Sequence, residues 1–235
     1  MKQLKIITLI LLVAFSSSCN KDSGDSTVVG DAVIISKRSG TNTVYGVALY
    51  AYAFSTLKTV TAVSSTNPTE TISLKANGSY TYNFLKEPSD SEYSTTKPAA
   101  ATYTFSSVFD SGTTYECQDN LTSEALAPVT FEKCQYNTTK SYAELSWTAL
   151  TNADSYAIFI IDESGNVVFS SAELANTVLS GTLSASASGW VSGYPVDGQT
   201  YTVRISAFEY ESSTSASSYQ MQATSISDTT LVWGV

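Results

Sequence analysis

The 235-residue sequence predicts an all-β chain built as two tandem β-sandwich domains. Three observations carry that expectation. Charged residues make up only 14%, while Ser, Thr, Val and Tyr are abundant, a mixture that fits a pleated, half-buried surface. Apolar residues alternate over short runs, and no segment of the body keeps a helical period. Clusters of Gly, Asn, Asp and Pro interrupt these runs as turns would.

The N-terminus is a separate element. Lys2 and Lys5 precede an apolar run, Ile6 to Phe15, that only Thr8 breaks. Ser16-Ser17-Ser18-Cys19 follows, a small-residue cleavage signal closed by a cysteine. The run covers about half of the roughly 20 residues needed to span a bilayer, so it reads as a removable signal. The arrangement resembles the lipobox of bacterial lipoproteins, and Asn20-Lys21-Asp22 after it is similar to lipoproteins of the Bacteroidetes. The resemblance implies lipidation of Cys19, a signal peptide over 1–18 and a polar, lipidated tether over 19–27. It also implies an outer-membrane location, with the choice between surface and periplasmic face left open.

Structure is expected to begin near Val28. From 28 to 118, Val33 to Ser36, Val44 to Phe54, Lys58 to Val63 and Thr71 to Lys75 read as strands. Ala76-Asn77-Gly78-Ser79 is a tight turn of the Asn-Gly type. Tyr80, Tyr82 and Phe84 then share one strand face, and Tyr103, Phe105 and Phe109 repeat the pattern. These stripes, with Tyr50, Tyr52 and Phe54, are expected to fill a core. The stretch from Lys86 to Ala100 reads as the longest loop. About seven short strands without helical periodicity suggest an immunoglobulin-like sandwich.

The second half, 127–222, carries more specific signals. Ala143 to Trp147 and Asp154 to Ile160 read as strands, and Asp162-Glu163-Ser164-Gly165-Asn166 as a hairpin turn. Trp147 on the second strand, and Tyr201 followed by Thr-Val-Arg-Ile-Ser-Ala, resemble a fibronectin type III domain. The resemblance implies a buried Trp147 and a Tyr201 hydroxyl bonded to backbone in the preceding loop. The tail, 223–235, is expected to add a strand or to pack between domains.

Charge and cysteines narrow the function classes. The net charge is −9, and loss of Lys2 and Lys5 with an acid-free signal would take it to −11. Such a chain is repelled by phosphate backbones, so nucleic acid is not expected as a partner. Membrane attachment then falls to the lipid anchor. Of three cysteines, Cys117 and Cys134 remain after Cys19, an even number in an exported chain. A disulfide between them is expected, contributing about 3 kcal/mol in the chain-entropy model.

The sequence contains no histidine, which removes histidine-based nucleophilic catalysis and most zinc chemistry. No phosphate-binding glycine loop or nucleophile elbow occurs. Glu87/Asp90/Glu92, Asp162/Glu163 and Glu209/Glu211 are acidic clusters, read as ordinary solvated groups. Asp162, Glu163 and Asn166 lack the spacing of a dedicated calcium loop. No catalytic residue, metal ligand or cofactor is therefore assigned. Trp190 and Tyr194, between glycines in an irregular segment, and Tyr93, in the long loop, are the candidate ligand-binding residues. The expected function is a non-catalytic binding or adhesion module acting through sandwich-end loops, with a glycan or surface protein as ligand. The alternatives are a glycan-binding accessory protein of a polysaccharide-utilisation system and a structural subunit of a surface assembly.

Overall fold

The computed structural model describes residues 27–211 and 220–235. Cys19, the signal segment and nearly all of the tether lie outside the described residues. The fold is all-β and sandwich-like, as the alternation predicts.

β1 (Val28–Ser39) and β2 (Asn42–Ala53) form a long antiparallel hairpin, paired from Val28↔Ala53 to Ser39↔Asn42. Gly40 turns the chain at φ 60°, a region open to glycine without steric cost. β3 (Leu57–Ser64), β4 (Asn67–Asn77) and β5 (Tyr80–Lys86) follow. β4 pairs with β3 along its first part and with β5 along Lys75 to Asn77, so one strand serves both layers. β6 (Ala101–Phe109) and β7 (Thr114–Leu121) complete the first half. Burial alternates strictly along β6, which places Tyr103, Phe105 and Phe109 inside. A Cβ on Gly30 would lie 2.4 Å from the Phe105 ring, so that ring packs directly on the β1 backbone.

The second half contains β8 (Phe131–Asn137), β9 (Tyr142–Trp147), β10 (Ser155–Ile161), β11 (Val167–Ser170), β12 (Leu174–Ala175), β13 (Ser180–Ser184), β14 (Thr200–Tyr210) and β15 (Met221–Val232). One layer is β13-β9-β8, and the facing strands run β11-β10-β14-β15. Trp147 is buried between them with its ring edge-on to Tyr156 at 5.8 Å. The Tyr201 hydroxyl accepts the Val196 N–H at 3.0 Å and donates to Gln199 Oε1 at 3.1 Å. This is the backbone contact that the fibronectin type III resemblance implies.

β15 lies between the halves. It pairs antiparallel with β14 and parallel with β1, from Ile34↔Ala223 to Lys37↔Ile226. The strand path therefore runs unbroken as β11-β10-β14-β15-β1-β2-β5-β4-β3-β6-β7, with β12 on β10. Central strands are covered on both faces, which explains why Ala32 to Ser36 and Met221 to Ser225 are buried at every position. One apolar cluster spans both halves, from Leu49 and Phe105 to Trp147, Ile205 and Trp233. The connection 122–130 is stitched to this seam. Ser36 donates to the Leu126 carbonyl at 2.6 Å, Gln222 to Glu124 at 2.9 Å and Ser227 to Val129 at 3.0 Å.

Two expectations require correction. Cys117 and Cys134 are free thiols rather than a disulfide. Cys117 sits on β7 opposite Phe105, while Cys134 sits on β8 opposite Leu145, in the other half. Cys134 donates instead to the Thr230 carbonyl at 3.8 Å. Burial raises both thiols, Cys134 to about 11, which leaves them protonated and weakly nucleophilic. The aromatic stripes are also only partly internal. Tyr50, Phe84 and Phe105 are buried, but Phe54 is 86% exposed, Tyr80 49% and Tyr82 46%. Those three lie where β2 ends and β5 begins.

Candidate functional site

The parallel seam ends in two polar sites, one at Lys37 and one at Asp31. At the Lys37 end the two halves enclose a cleft of about 1210 Å³. The end of β1, the segment 87–93, residues 129–131, Arg204 and the middle of β15 line it.

The long loop is held in place here. Tyr45 and Ser94 exchange backbone hydrogen bonds of 2.7 and 2.9 Å, which pins the segment along β2. Gly46 permits this approach, because a Cβ there would lie 2.8 Å from Pro88. Asp90–Glu92 forms a single 3-10 turn, and the Glu92 carboxylate accepts both the Ser89 N–H and the Ser89 hydroxyl at 2.6 Å. Lys86 contacts the same carboxylate at 2.8 Å. The result fixes Tyr93, whose ring centre lies 3.8 Å from Lys37 Nζ. A cation over an aromatic face is a favourable contact.

Two ion pairs lie in the cleft. Lys37 pairs with Asp90 at 2.9 Å. Arg204 on β14 and Asp228 on β15 are directly opposite in register and form a bidentate pair at 2.7 and 2.6 Å. Arg38 donates to the Thr130 hydroxyl at 3.3 Å. Glu87 is pushed up to about 7 by burial, with Arg204 and Lys86 pulling the other way. Its Oε1 has no hydrogen-bond partner among the described residues. The cleft thus offers two aromatic side chains, Tyr93 and Phe131, and several planar hydrogen-bonding groups with little net charge. Such a lining suits a polar ligand with many hydroxyls better than a strongly charged one.

At the other end, Asp31 on β1, Asp119 on β7 and Glu211 just after β14 converge. One carboxylate oxygen from each lies within 4.8 Å of the others. Asp31 is 6% exposed and Asp119 3%. Asp31 Oδ2 accepts the Met221 N–H at 3.2 Å, and Asp119 Oδ2 accepts the Ala32 N–H at 2.8 Å. Burial raises all three carboxyls, and the charges of the others raise Asp31 and Glu211 further. The sequence gives no sign of this cluster, since its members are roughly ninety residues apart at each step. Glu209 and Glu211 were expected as solvated groups on a turn. Instead Glu209 is the penultimate residue of β14 and is 7% exposed, with its carboxyl raised to about 6 by burial.

Of the three candidate ligand-binding residues, only Tyr93 lines the cleft. Trp190 packs between Phe169 at 4.9 Å and Trp233 at 5.3 Å, and its indole N–H donates to the Ser184 carbonyl at 3.0 Å. Tyr194 donates to Asp162 Oδ2 at 3.2 Å and meets the Tyr201 ring edge-on at 6.4 Å. Both belong to the far end of the second half.

No family model and no curated protein matches this chain. Among solved structures, a two-domain fibronectin type III segment of chicken tenascin is 16% identical. It covers 77% of this chain and 91% of its own, with a TM-score of 0.28. A bacterial 1.5-MDa ice-binding adhesin is 12% identical over 90% of this chain and 67% of its own, with a TM-score of 0.27. Dimeric latent PorU from Porphyromonas gingivalis is 10% identical over 92% of this chain and 21% of its own, with a TM-score of 0.29. At scores of this size no role is transferred from them.

Proposed function

We propose that this chain is a non-catalytic, lipid-anchored binding module of the outer membrane, and that the seam cleft holds its ligand, a glycan. The observation that carries the ligand reading is the fixed Tyr93 ring beside the Arg204–Asp228 pair. A sugar ring stacks its C–H face on an aromatic ring, while its hydroxyls engage planar charged groups that are already oriented. The cleft volume of about 1210 Å³ is ample for a short oligosaccharide.

The anchor reading rests on the residues around Cys19.

A second reading has its own observation. Val191, Val196, Val232 and Val235, between 40% and 67% exposed, lie in the far-end segments of the second half. That surface suits a protein partner better than a sugar.

The test has two arms. Cells grown with labelled palmitate should yield labelled protein, and Cys19→Ser should remove the label. The purified chain should give a saturable signal on a glycan array, and Tyr93→Ala should weaken it at least tenfold in a chain that still unfolds cooperatively, with Tm lowered only by the lost Lys37 and apolar contacts. Unlabelled protein would overturn the anchor. Unchanged glycan affinity in Tyr93→Ala, or no glycan binding by the parent chain, would overturn the ligand reading.

A further inference from the structure

We propose that Asp31, Asp119 and Glu211 form a binding site for a hard divalent cation of the calcium type, which clamps the two halves at the seam. The inference is independent of the lipid anchor and of the glycan.

The spacing fits. Calcium holds oxygen ligands at about 2.3–2.6 Å, so two of its ligands lie at most about 5 Å apart. The three carboxylate oxygens here lie within 4.8 Å of one another. Their supports are rigid. β1 and β7 belong to the first half, and Glu211 follows the last residue of β14 in the second. The Ala32 and Met221 N–H groups each hold one oxygen of Asp119 and Asp31, which aims the carboxylates rather than neutralising them.

A second observation points to a missing partner. The Asp31 side chain is 6% exposed, yet its Oδ1 has no hydrogen-bond partner among the described residues. Glu211 Oε1 is likewise buried with no donor among the described residues, while the Glu211 carboxyl shares a hydrogen bond with Asp119. A buried carboxylate oxygen without a donor is costly, because it has given up its water and gained nothing in return. No lysine or arginine stands among the main influences on any of the three carboxyls. The compensating charge must therefore come from outside the described side chains, as a cation or as protons.

The donor set selects the kind of cation. All three ligands are carboxylate oxygens, and the chain has no histidine. Zinc and copper favour nitrogen and sulfur, whereas calcium favours several oxygens in flexible geometry, with water completing the shell. One bound dication would offset most of three negative charges and tie β1, β7 and the end of β14 together.

The experiment uses the full chain stripped with EDTA, with calcium chloride as probe. Calorimetric titration should show one site, and Tm should rise by about 5 °C or more at a hundredfold excess over Kd. Asp31→Asn keeps the side-chain volume and the acceptor for Met221. It should abolish the calcium response while matching or exceeding the parent's Tm in EDTA, because a buried charge is gone. A merely structural Asp31 would instead lose Tm in EDTA. Glu163→Gln, on the exposed hairpin, should leave the response intact. If Asp31→Asn does not fold, Glu211→Gln serves as the second variant and should also abolish the response. The proposal is overturned by a parent chain that neither binds calcium nor gains Tm, including one stabilised by acidification alone. A calcium response that survives in Asp31→Asn or Glu211→Gln overturns it equally.

Discussion

At the Lys37–Ile226 end of the seam, Lys37 and Arg204 each hold an acid within 3 Å. At the Asp31–Met221 end, three acids meet with no base paired to them among the described residues. The same two strands, β1 and β15, carry both arrangements. The difference teaches what each end can accept. The paired end is already balanced, so a ligand adds hydrogen bonds and stacking without bringing charge. The acidic end concentrates like charge, so a cation or protons would stabilise it. Buried ion pairs gain little over apolar packing, but removing one partner leaves a costly orphan. The two ends should therefore respond in opposite directions to loss of a carboxylate.

The largest expected effect tests whether the acid end is as rigid as its geometry implies. Gly30→Val places side-chain carbon against the Phe105 ring, where even a Cβ would lie at 2.4 Å. It should cost about 3 kcal/mol in urea unfolding followed by tryptophan fluorescence, through overpacking. A neutral result would mean that β1 and β6 can part there, and that the carboxylates are not held at fixed distances.

Next comes the paired end. Asp228→Ala leaves Arg204, whose side chain is 8% exposed, without its bidentate acceptor. A loss of about 2 kcal/mol is expected, and Arg204→Met in the same chain should restore most of it. An Asp228→Ala variant as stable as its parent would erase the contrast between the ends.

The smallest effect sharpens the pH behaviour of the cleft. The Glu87 carboxyl is raised by burial to about 7 in the folded chain, above the ordinary glutamate value near 4.5. Between those values the folded state binds more proton than the unfolded one, so stability falls as pH rises through that window. Glu87→Gln should remove this slope and leave the variant more stable above pH 7, by on the order of 1 to 2 kcal/mol. Parallel pH profiles for parent and variant would show that Glu87 ionises freely, and that the cleft is wetter than its hydrogen bonds imply.

Much of the second half was legible in the sequence. Trp147, the Tyr201 hydroxyl and the alternation Val203, Ile205, Ala207 each report a local pattern, and all are buried as expected. Tyr93 was legible as a candidate only because it stands in a polar loop. Nothing local says that Tyr45 and Ser94 pin that loop or that Lys37 meets its ring. The exposed Tyr80 and Tyr82 mislead for a related reason. Alternation marks one face of a strand, but it does not say how far the opposing layer extends. The cysteines mislead because an even count implies pairing without implying proximity.

The amino-acid order by itself determined that most of the chain alternates as strands, that Asn77-Gly78 makes a turn, and that no histidine chemistry is available. Side-chain period and backbone freedom act over a few residues, so they can be read one segment at a time. The partner of each strand was decided only in three dimensions. The tail became a central strand by pairing in parallel with β1, from nearly 190 residues away. That pairing created both polar ends of the seam, because like and unlike charges from distant segments meet only once the strands are side by side.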